Sequence, residues 1–568
     1  MLDWNNTYPR PSLKRKGNFK ILNEGWKLND LPINLPFPPE SKLSGYKGPL
    51  GPEFTYTREL EIPEEAVNCL KEGGELFLHF GAIDQVSDIF VDEEQLGHSE
   101  LGYFKIDCPI TSQAKKAIDE GRKSVLVKVN GQDYLDKEKP YGKQRIDRGG
   151  MWYTPISGIW QTVWMEWLPK NYISKIKYSV QGSKVNFTLF YNDLEKAGEW
   201  KNRGPVKASI KFSSASYDFT FTGNSFELDL AKIQVEGKNL KPEYWSCQNP
   251  YLYQIEFEYM EDRVESYFAL RSVSIEDIQG YKRICLNGSP VFFNGVLDQG
   301  YFEEGIFTPK SPEDYKNDIL RMKELGFNTL RKHIKLEPEI FYYLCDSLGI
   351  YLVQDMVNNG PYNFMVDTAL ATLGIKLKDK NRYSQSQKDI FLLAASQTQD
   401  YLFNNPSVIA YTVFNEGWGQ TDSDEIGDLL KERDPSRIYD YTSGWFKQKN
   451  SDLDSLHIYF RTKKLKAKNK ALVLSEFGGF TRAVQGHIWN LEKSFGYGKC
   501  KDENELTERI IEVYQKMVLP AIPKGLCACI YTQLSDIEDE INGFYTYDRQ
   551  VCKVDKEKLS DFMKKVKI

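Results

Sequence analysis

Two glutamates stand directly after apolar runs that have the length and composition of buried strands. Glu416 follows residues 408–414 and Asn415, and Glu476 follows residues 471–474 and a serine, with glycines just beyond both. Two carboxyl groups about 5–5.5 Å apart carry out retaining glycoside hydrolysis: one attacks the anomeric carbon, and the other protonates the leaving oxygen and then activates water. The Asn415 amide can hold the sugar 2-hydroxyl, a bond that tightens in the transition state. A single glutamate of this kind is more simply a helix-cap neighbour or an ion-pair partner, whereas two such sites indicate chemistry.

The two glutamates need a scaffold that brings two strand ends together. After about residue 278, strand-like runs alternate with helix-like runs, and the eight candidate strands are residues 291–294, 329–331, 351–353, 408–414, 438–440, 456–458, 471–474 and 528–531. Helix-like runs include residues 311–325, 338–348, 424–432 and 503–518. This repeat predicts a closed (β/α)8 TIM barrel with its site at the C-terminal strand ends, where Glu416 closes strand 4 and Glu476 closes strand 7. An open doubly wound sheet is the alternative, but no G-x-G-x-x-G or P-loop motif follows any strand.

The chain upstream of the barrel reads as short strands separated by turn residues. Residues 1–170 carry apolar or alternating runs and only one short helix-like stretch, near residues 113–120, which predicts an antiparallel jelly-roll sandwich. Residues 171–277 contain cleanly alternating runs over a length that suits an immunoglobulin-like sandwich, without the Cys–Trp–Cys core of antibody domains. We therefore expect three domains, at residues 1–170, 171–277 and 278–568.

Composition excludes several classes of protein. The net charge of −6 argues against nucleic acid or an anionic membrane as the main partner, and no apolar run is long enough for a membrane span. The start of the chain has no apolar signal-peptide region, and nine cysteines without metal spacing suggest free thiols, so we expect a cytoplasmic protein. The five histidines form no H-E-x-x-H motif, so we expect no cofactor and no catalytic metal. The expected partner is a glycoside or oligosaccharide, and a homo-oligomer remains open.

The sequence also resembles a known family. Residues 408–418 resemble the acid/base region of glycoside hydrolase family 2, which contains β-galactosidases, β-glucuronidases and β-mannosidases. Other segments are similar to this family in the same order, namely residues 88–92 with 102–104, 157–161, 245 with 249–253, 322–331 and 345–349. The resemblance implies a sandwich, an immunoglobulin-like domain and a catalytic barrel. It also implies Glu416 as acid/base and Glu476 as nucleophile.

Further candidate contacts lie at other strand ends. Arg331 and His333 follow strand 2, where many members of the family have one residue more between arginine and histidine; Arg331 is a candidate to stabilise ionised Glu476, with a structural ion pair equally open. Asp298 follows strand 1, where the family commonly has a histidine, so we expect a sugar preference that is unusual for the family. Trp445 follows strand 5 as a candidate sugar platform or lid.

Two residues at the end of strand 6 compete for one role. A tyrosine there in the family supports the nucleophile by a hydrogen bond, which makes Tyr459 a candidate, but His457 points the same way on a strand. After strand 8, Gln533 and Glu540 are candidate substrate contacts. The similar β-glucuronidases carry Asn-x-Lys in this loop to grip the uronate carboxylate, whereas this chain aligns Glu540 and Asn542 with those positions.

The predicted function is therefore a retaining exo-β-glycosidase acting on neutral sugars, with a β-galactoside first. A β-glucuronidase, another β-hexosidase or an α-arabinosidase is the enzymatic alternative. A carbohydrate-binding protein without catalysis is the alternative from another class, and it should lack one of the two glutamates.

Overall fold

The computed structural model describes residues 1–192, 205–212, 215–235, 237–370, 375, 383–459, 461–490 and 492–568 of the chain. Two antiparallel β-sandwiches come first, and an eight-stranded parallel barrel with flanking helices follows them. The fold class predicted from the sequence is thereby confirmed. Among the described residues, none of the helices combines the length and the apolar composition needed to cross a membrane.

The first sandwich consists of a four-stranded and a six-stranded sheet that share one core. The smaller sheet has the strand order Phe19–Ile21, Val163–Leu168, Glu75–Phe80 and Ile106–Pro109. The larger sheet has the order Leu31–Ile33, Trp26–Leu28, Glu53–Glu61, Ser124–Gln132, Val86–Val91 and Glu94–Ser99. Alternate residues such as Val125, Val127 and Val129 are buried, because the side chains of a strand point to opposite faces. Helices Glu64–Lys71 and Thr111–Asp119 flank the sheets; the sequence indicated only the second.

The second sandwich pairs a three-stranded with a four-stranded sheet. The strand orders are Ile173–Gln181, Lys184–Tyr191 and Ser225–Asp229 in one sheet and Ser216–Phe221, Val206–Lys211, Tyr253–Tyr259 and Asp262–Phe268 in the other. Short strands Gln234–Val235 and Lys238–Asn239 pair beside them. The buried core between the sheets is rich in aromatic rings, including Phe187, which stacks on Phe226 at 4.9 Å.

A small hairpin leads into the barrel. Strand Val273–Ile278 pairs with Tyr281–Leu286, which also pairs with Ser289–Pro290. Ile284 and Leu286 pack with the first residues of the barrel strands and cover the end of the barrel opposite its mouth. The expected domain boundary at residues 277/278 cuts through this hairpin. We propose that the barrel unit begins near residue 273, and that the boundary near residue 170 lies between the two sandwiches.

The barrel contains all eight strands that the sequence predicted. Strands 1 to 8 are Phe293–Asp298, Thr329–Lys332, Tyr351–Asp355, Val408–Asn415, Ile438–Ser443, Leu453–Ile458, Ala471–Gly478 and Leu526–Thr532. Parallel pairing runs in the order 5-4-3-2-1-8-7-6. Strands 5 and 6 lie side by side and nearly close the barrel through contacts such as the hydrogen bond from Asp452 N to Tyr439 O at 3.1 Å.

Several helices around the barrel begin with local capping signals. They are Pro312–Glu324, Glu339–Leu348, Gln385–Leu402, Ser423–Arg433, Glu503–Val513 and Lys556–Met563, and π-helical turns occur at Phe364–Ala369 and Tyr514–Val518. The first has a capping box between Ser311 and Asp314, with proline in its first turn. Short 3-10 turns lie at Pro11–Leu13, Lys42–Ser44, Leu230–Lys232 and Ile522–Lys524.

A long loop of the first sandwich, residues 133–157, reaches across the mouth of the barrel. Tyr141 Oη donates a hydrogen bond to Gly360 O at 2.9 Å, and Arg148 forms an ion pair with Glu538 at 3.2 Å. Loops of this length without regular structure in a compact fold are uncommon and usually functional. Because of this loop, the first sandwich supplies side chains to the barrel mouth.

Candidate active site

Glu416 and Glu476 lie together at the mouth of the barrel. Glu416 follows strand 4 and Glu476 is the sixth residue of strand 7. One oxygen of each carboxylate and one ring nitrogen of His457 lie within 4.8 Å of one another. Glu416 adopts a left-handed backbone conformation with φ of 53°, and its N–H donates to Ser443 O at 3.0 Å. Such a conformation costs about 1–3 kcal/mol in a non-glycine residue and persists where the surrounding structure enforces it, typically at functional sites.

Arg331 connects the elements that carry these groups. Its guanidinium, buried at the end of strand 2, donates to Glu476 Oε1 at 3.0 Å and to Ser475 O at 3.0 Å. It also donates to Asn415 Oδ1 at 2.9 Å and to Asp355 Oδ1 at 2.9 Å. Because the oxygen of the Asn415 amide is held by Arg331, the orientation of its NH2 group is determined as well. Arg331 thus forms an ion pair with Glu476 and a structural ion pair with Asp355. The sequence left these two roles as alternatives.

Asp355 holds His333 in addition to Arg331. Its second carboxylate oxygen lies 2.6 Å from His333 Nδ1, and both residues are buried. Burial alone would raise the pKa of Asp355, but the charge of Arg331 and the contact with His333 lower it. Burial lowers the pKa of His333 despite the hydrogen bond to Asp355. His333 is therefore fixed through Nδ1, and its role in contacting substrate stays a prediction.

His457 lies between the two glutamates. Its Nδ1 is 2.7 Å from Glu416 Oε1, and its Nε2 is 3.0 Å from Ser443 Oγ and 3.6 Å from Glu476 Oε1. The half-buried indole of Trp445 meets the imidazole edge-on at 5.5 Å and donates its N–H to Asp367 O at 3.0 Å. His457 therefore contacts the candidate acid/base and also lies near the candidate nucleophile, so its support of Glu476 stays a prediction.

Tyr459 contacts the other glutamate. Its hydroxyl donates a hydrogen bond to Glu476 Oε2, and its ring stacks on Tyr497 at 4.0 Å. Burial and the charge of Glu476 hold the pKa of Tyr459 well above its usual value, so the phenol remains a donor. Burial would raise the pKa of Glu476, but the charges of His457 and Arg331 and the Tyr459 hydrogen bond lower it. The surroundings of Glu476 therefore favour its ionised form.

The group formed by Glu416, His457 and Glu476 also meets the spacing of a metal site. Each of its ligand atoms already has a partner, however: His457 Nδ1 and Glu416 Oε1 contact each other, and Arg331 donates to Glu476 Oε1. A guanidinium on a carboxylate oxygen repels a cation at the same atom. The arrangement therefore suits proton transfer and nucleophilic attack better than metal binding.

The loop after strand 8 forms a second wall of the site. Gln533 donates to Asn542 Oδ1 at 2.9 Å and accepts from Gln299 at 3.0 Å, while Asn542 donates to Glu540 Oε1 at 2.9 Å. Glu540 also accepts the hydroxyl of Tyr153 from the first sandwich. Burial raises the pKa of Glu540, an effect that the Tyr153 and Asn542 hydrogen bonds oppose. This wall therefore carries a buried carboxylate held by donors from two domains.

Asp298 lies elsewhere in the network. Its carboxylate pairs with Lys332 Nζ at 2.7 Å and accepts from Gly300 N at 2.9 Å. Lys332 in turn pairs with Glu337 at 2.9 Å. In the described part of the chain, no hydrogen bond or ion pair joins Asp298 to either candidate catalytic glutamate. Asp298 is instead part of a buried ion-pair network with Lys332 and Glu337.

Sequence reasoning missed three residues at this site. Asp355 ends strand 3, and the rule that polar residues at the ends of barrel strands are functional would have identified it. Lys143 and Tyr153 lie on the long loop of the first sandwich, far from the barrel in sequence. Only the length of that loop and its mixture of basic and aromatic residues hinted at a role.

The structure is a parallel TIM barrel in which strands 4 and 7 bring Glu416 and Glu476 together at the C-terminal ends of the strands. Residues 274–516 match the family model described as glycosyl hydrolases family 2, TIM barrel domain. The barrel region of the chain is therefore similar to this family.

Individual relatives agree with this similarity. The chain is 23% identical to the β-galactosidase of Kluyveromyces lactis over 78% of this chain and 44% of that enzyme. It is 26% identical to the β-galactosidase of Lactococcus lactis over 73% of this chain and 37% of that enzyme. The chain thus spans less than half the length of these two relatives. A solved β-glucuronidase of an uncultured Clostridium sp. shares the fold, with a TM-score of 0.72, 15% identity and coverage of 99% of this chain and 100% of that chain.

Tyr459→Phe is predicted to raise the pKa of Glu476, because it removes a donor to the carboxylate. If turnover needs ionised Glu476, activity is lost as the pH falls through this pKa. The acid limb of kcat/KM against pH should therefore move to higher pH by about one unit, since one hydrogen bond to a charged group is worth about 1.5–3 kcal/mol. Tyr441→Phe, whose hydroxyl contacts Asp428 instead, is the control. An acid limb unchanged in Tyr459→Phe would contradict the prediction.

Proposed function

We propose that the protein is a retaining exo-β-glycosidase, with Glu476 as nucleophile and Glu416 as acid/base. The observation that supports this most directly is the approach of the two carboxylates, whose nearest oxygens lie within 4.8 Å. Carboxyl groups about 5–5.5 Å apart suit double displacement, whereas inverting enzymes separate them by about 6.5–9.5 Å to admit a water. The proposal rests on this separation together with the different surroundings of the two groups.

In the first step, Glu476 attacks the anomeric carbon as a carboxylate. Arg331 and Tyr459 donate hydrogen bonds to its two oxygens, which keeps it ionised and fixes its orientation. Glu416 gives its proton to the departing oxygen, so the C–O bond to the aglycone breaks while the bond to Glu476 forms. In the second step Glu416 accepts a proton from water, and the water oxygen replaces Glu476 at the anomeric carbon.

Asn415 and His457 orient the reacting groups. The Asn415 amide, held by Arg331, is placed one residue before Glu416, where its NH2 group can reach the sugar 2-hydroxyl. His457 Nδ1 contacts Glu416 Oε1 and so holds the acid/base carboxyl in place. Exo action is supported by the loop of the first sandwich and the loop after strand 8, which meet through Tyr153–Glu540 and Arg148–Glu538 and close one side of the mouth.

We infer that the cleaved sugar is neutral, with a β-galactoside first. By the resemblance described from the sequence, Glu540 aligns with the carboxylate-binding motif of the similar β-glucuronidases, and a carboxylate there would repel a uronate. Glu538 and Asp539 already contact other side chains: Arg148 lies 3.2 Å from Glu538, and Asn490 donates to Asp539 at 3.0 Å. The repulsion is therefore assigned to Glu540 alone.

The nucleophile is tested by trapping. A 2-fluoro glycoside with a good leaving group should form a stable covalent adduct on Glu476, because the fluorine slows its hydrolysis. Glu476→Gln should form no adduct and should lose activity by several orders of magnitude, since an amide is not a nucleophile here. Peptide mass spectrometry locates the adduct, with Glu425→Gln, on an outer helix, as the control that still reacts. An adduct on another residue would refute the assignment.

The acid/base is tested by leaving groups. In Glu416→Ala, substrates with poor leaving groups should slow by about 10²–10⁴-fold, while glycosylation by good leaving groups stays comparatively fast, because only the former need the proton. Azide should restore turnover and yield a β-glycosyl azide, because this small anion fits the emptied space and needs no general base. Uniform loss across leaving groups, without azide rescue, would exclude Glu416 as acid/base.

The sugar is tested with a panel of nitrophenyl glycosides. Two unit charges about 4 Å apart repel by about 4 kcal/mol at an effective dielectric of 20, or roughly three orders of magnitude in rate. We therefore expect kcat/KM on the β-galactoside to exceed that on the β-glucuronide at neutral pH and moderate salt. The opposite order would overturn the neutral sugar and leave the two-glutamate mechanism standing.

A further inference from the structure

Lys143 is a buried cation that the first sandwich brings to the barrel mouth. It lies on the loop of residues 133–157, and only 7% of its surface is exposed. Its Nζ lies 5.5 Å from the ring centre of Trp152, and its charge acts on both His333 and Glu540. Among the residues that the structure describes, no side-chain hydrogen bond or ion pair satisfies its ammonium group.

The side chain of Lys143 is largely buried, but its Nζ is not among the fully buried atoms that lack a partner. The ammonium carries three donors and no acceptor, so it needs an acceptor from outside the protein. Groups of this kind persist where an acceptor arrives with a ligand or where function requires them. The contact with Trp152 supplies only the face of an aromatic ring, which leaves the N–H donors of Lys143 for another partner.

The backbone sets Lys143 beside the group that complements it. Tyr153 N donates to Lys143 O at 3.0 Å, so the two residues are neighbours across the loop. The Tyr153 hydroxyl donates to Glu540, and Asn542 donates to the other oxygen of that carboxylate at 2.9 Å. A donor-only ammonium and an acceptor-only carboxylate, each from a different domain, therefore face the same part of the mouth.

We propose that Lys143 and Glu540 form a split clamp for hydroxyl groups of the cleaved sugar, on the side of the ring away from the anomeric carbon. This inference rests on the proposed function and names the residues that select its neutral substrate. A sugar hydroxyl both donates and accepts, so Lys143 donates to its oxygen while Glu540 accepts its proton. Neither group alone satisfies a hydroxyl in both directions.

Charge balance favours hydroxyls over a substrate carboxylate. Around the candidate nucleophile, Arg331 already faces the two carboxylates of Asp355 and Glu476. On the opposite wall the charge of Lys143 is balanced by that of Glu540, and Arg148 is paired with Glu538. Lys143 and Arg148 thus face three carboxylates on this wall, because Asp539 also lies 3.9 Å from Arg148. A uronate would add a further negative charge there, whereas a neutral sugar leaves the balance unchanged.

Through Lys143, the first sandwich also contributes to the substrate specificity of the barrel. A site built to hydrogen-bond a hydroxyl rejects an analogue that lacks it much more strongly than an apolar site rejects a missing methylene, because its buried polar groups remain unpaired. Specificity at this position then depends on the docking of the loop of residues 133–157, which Tyr141 and Arg148 attach to the barrel.

The test combines one variant with deoxygenated substrates. The parent substrate is the nitrophenyl glycoside that the wild type cleaves best, and the analogues are its 3-, 4- and 6-deoxy forms. Lys143→Met should lower kcat/KM on the parent by about 10- to 100-fold, the size of a hydrogen bond to a charged group. On the analogue that lacks the clamped hydroxyl, wild type and Lys143→Met should differ by less than about threefold.

Matched variants separate this role from folding. Arg145→Met is the control, because Arg145 lies on the same loop, 5.6 Å from the same Trp152 ring, with its side chain exposed; its activity should stay within about twofold of the wild type. Glu540→Gln tests the half of the clamp that the barrel supplies. It should likewise reduce the difference in kcat/KM between the parent substrate and the deoxy analogue. Thermal melting of each variant shows whether it is folded. If Lys143→Met does not fold, Glu540→Gln tests the clamp by itself.

Several outcomes would overturn the clamp. Equal losses on the parent and all three analogues would show that the variants act without a hydroxyl. Activity of both clamp variants equal to that of Arg145→Met would show that neither residue contacts the sugar. A wild type that prefers the glucuronide and loses it selectively in Lys143→Met would make Lys143 a carboxylate ligand. Each of these results leaves the covalent adduct on Glu476 in place, whereas a wild type with neither turnover nor adduct would overturn the proposed function as well.

Discussion

The buried guanidinium of Arg331 is the interaction on which the site depends. From strand 2 it reaches Asp355 at the end of strand 3, Asn415 at the end of strand 4 and Glu476 in strand 7, all at 2.9–3.0 Å. Its planar fork of N–H donors satisfies several acceptors in fixed directions at once, which the point charge of a lysine does not. The charges of its partners keep Arg331 protonated by raising its pKa, although burial opposes this.

Such a buried ion pair contributes little net stability, because desolvation offsets most of the attraction. Removing one partner is different, since it leaves an uncompensated buried charge at a cost of about 3–5 kcal/mol. The network therefore acts mainly by fixing geometry: Asp355 positions His333, Asn415 presents its amide, and the Glu476 carboxylate points along one direction. The left-handed backbone of Glu416 is a further conformation that the surrounding structure enforces.

His457 and the loop of the first sandwich extend this network in two directions. His457 contacts Glu416 and lies 3.6 Å from Glu476, so it joins the two carboxylates across the barrel. The loop of residues 133–157 adds Tyr153 to the wall after strand 8 and brings Lys143 to the same place. The two walls thus differ in the domain from which their side chains come.

The amino-acid sequence by itself determined the periodic parts of the protein. Strand and helix patterns are local, so all eight barrel strands were predictable, and Glu416 and Glu476 stood out because a polar residue ended each apolar run. Arg331 was a candidate for the same reason, with two alternatives open, whereas Tyr459 was a candidate through the resemblance to the family, with His457 as its competitor. Only the tertiary structure decided that His457 contacts Glu416, that Asp298 joins an ion-pair network, and that Lys143 and Tyr153 reach the barrel. These contacts join residues up to several hundred positions apart, and no local pattern encodes which side chains meet when separately folded elements dock.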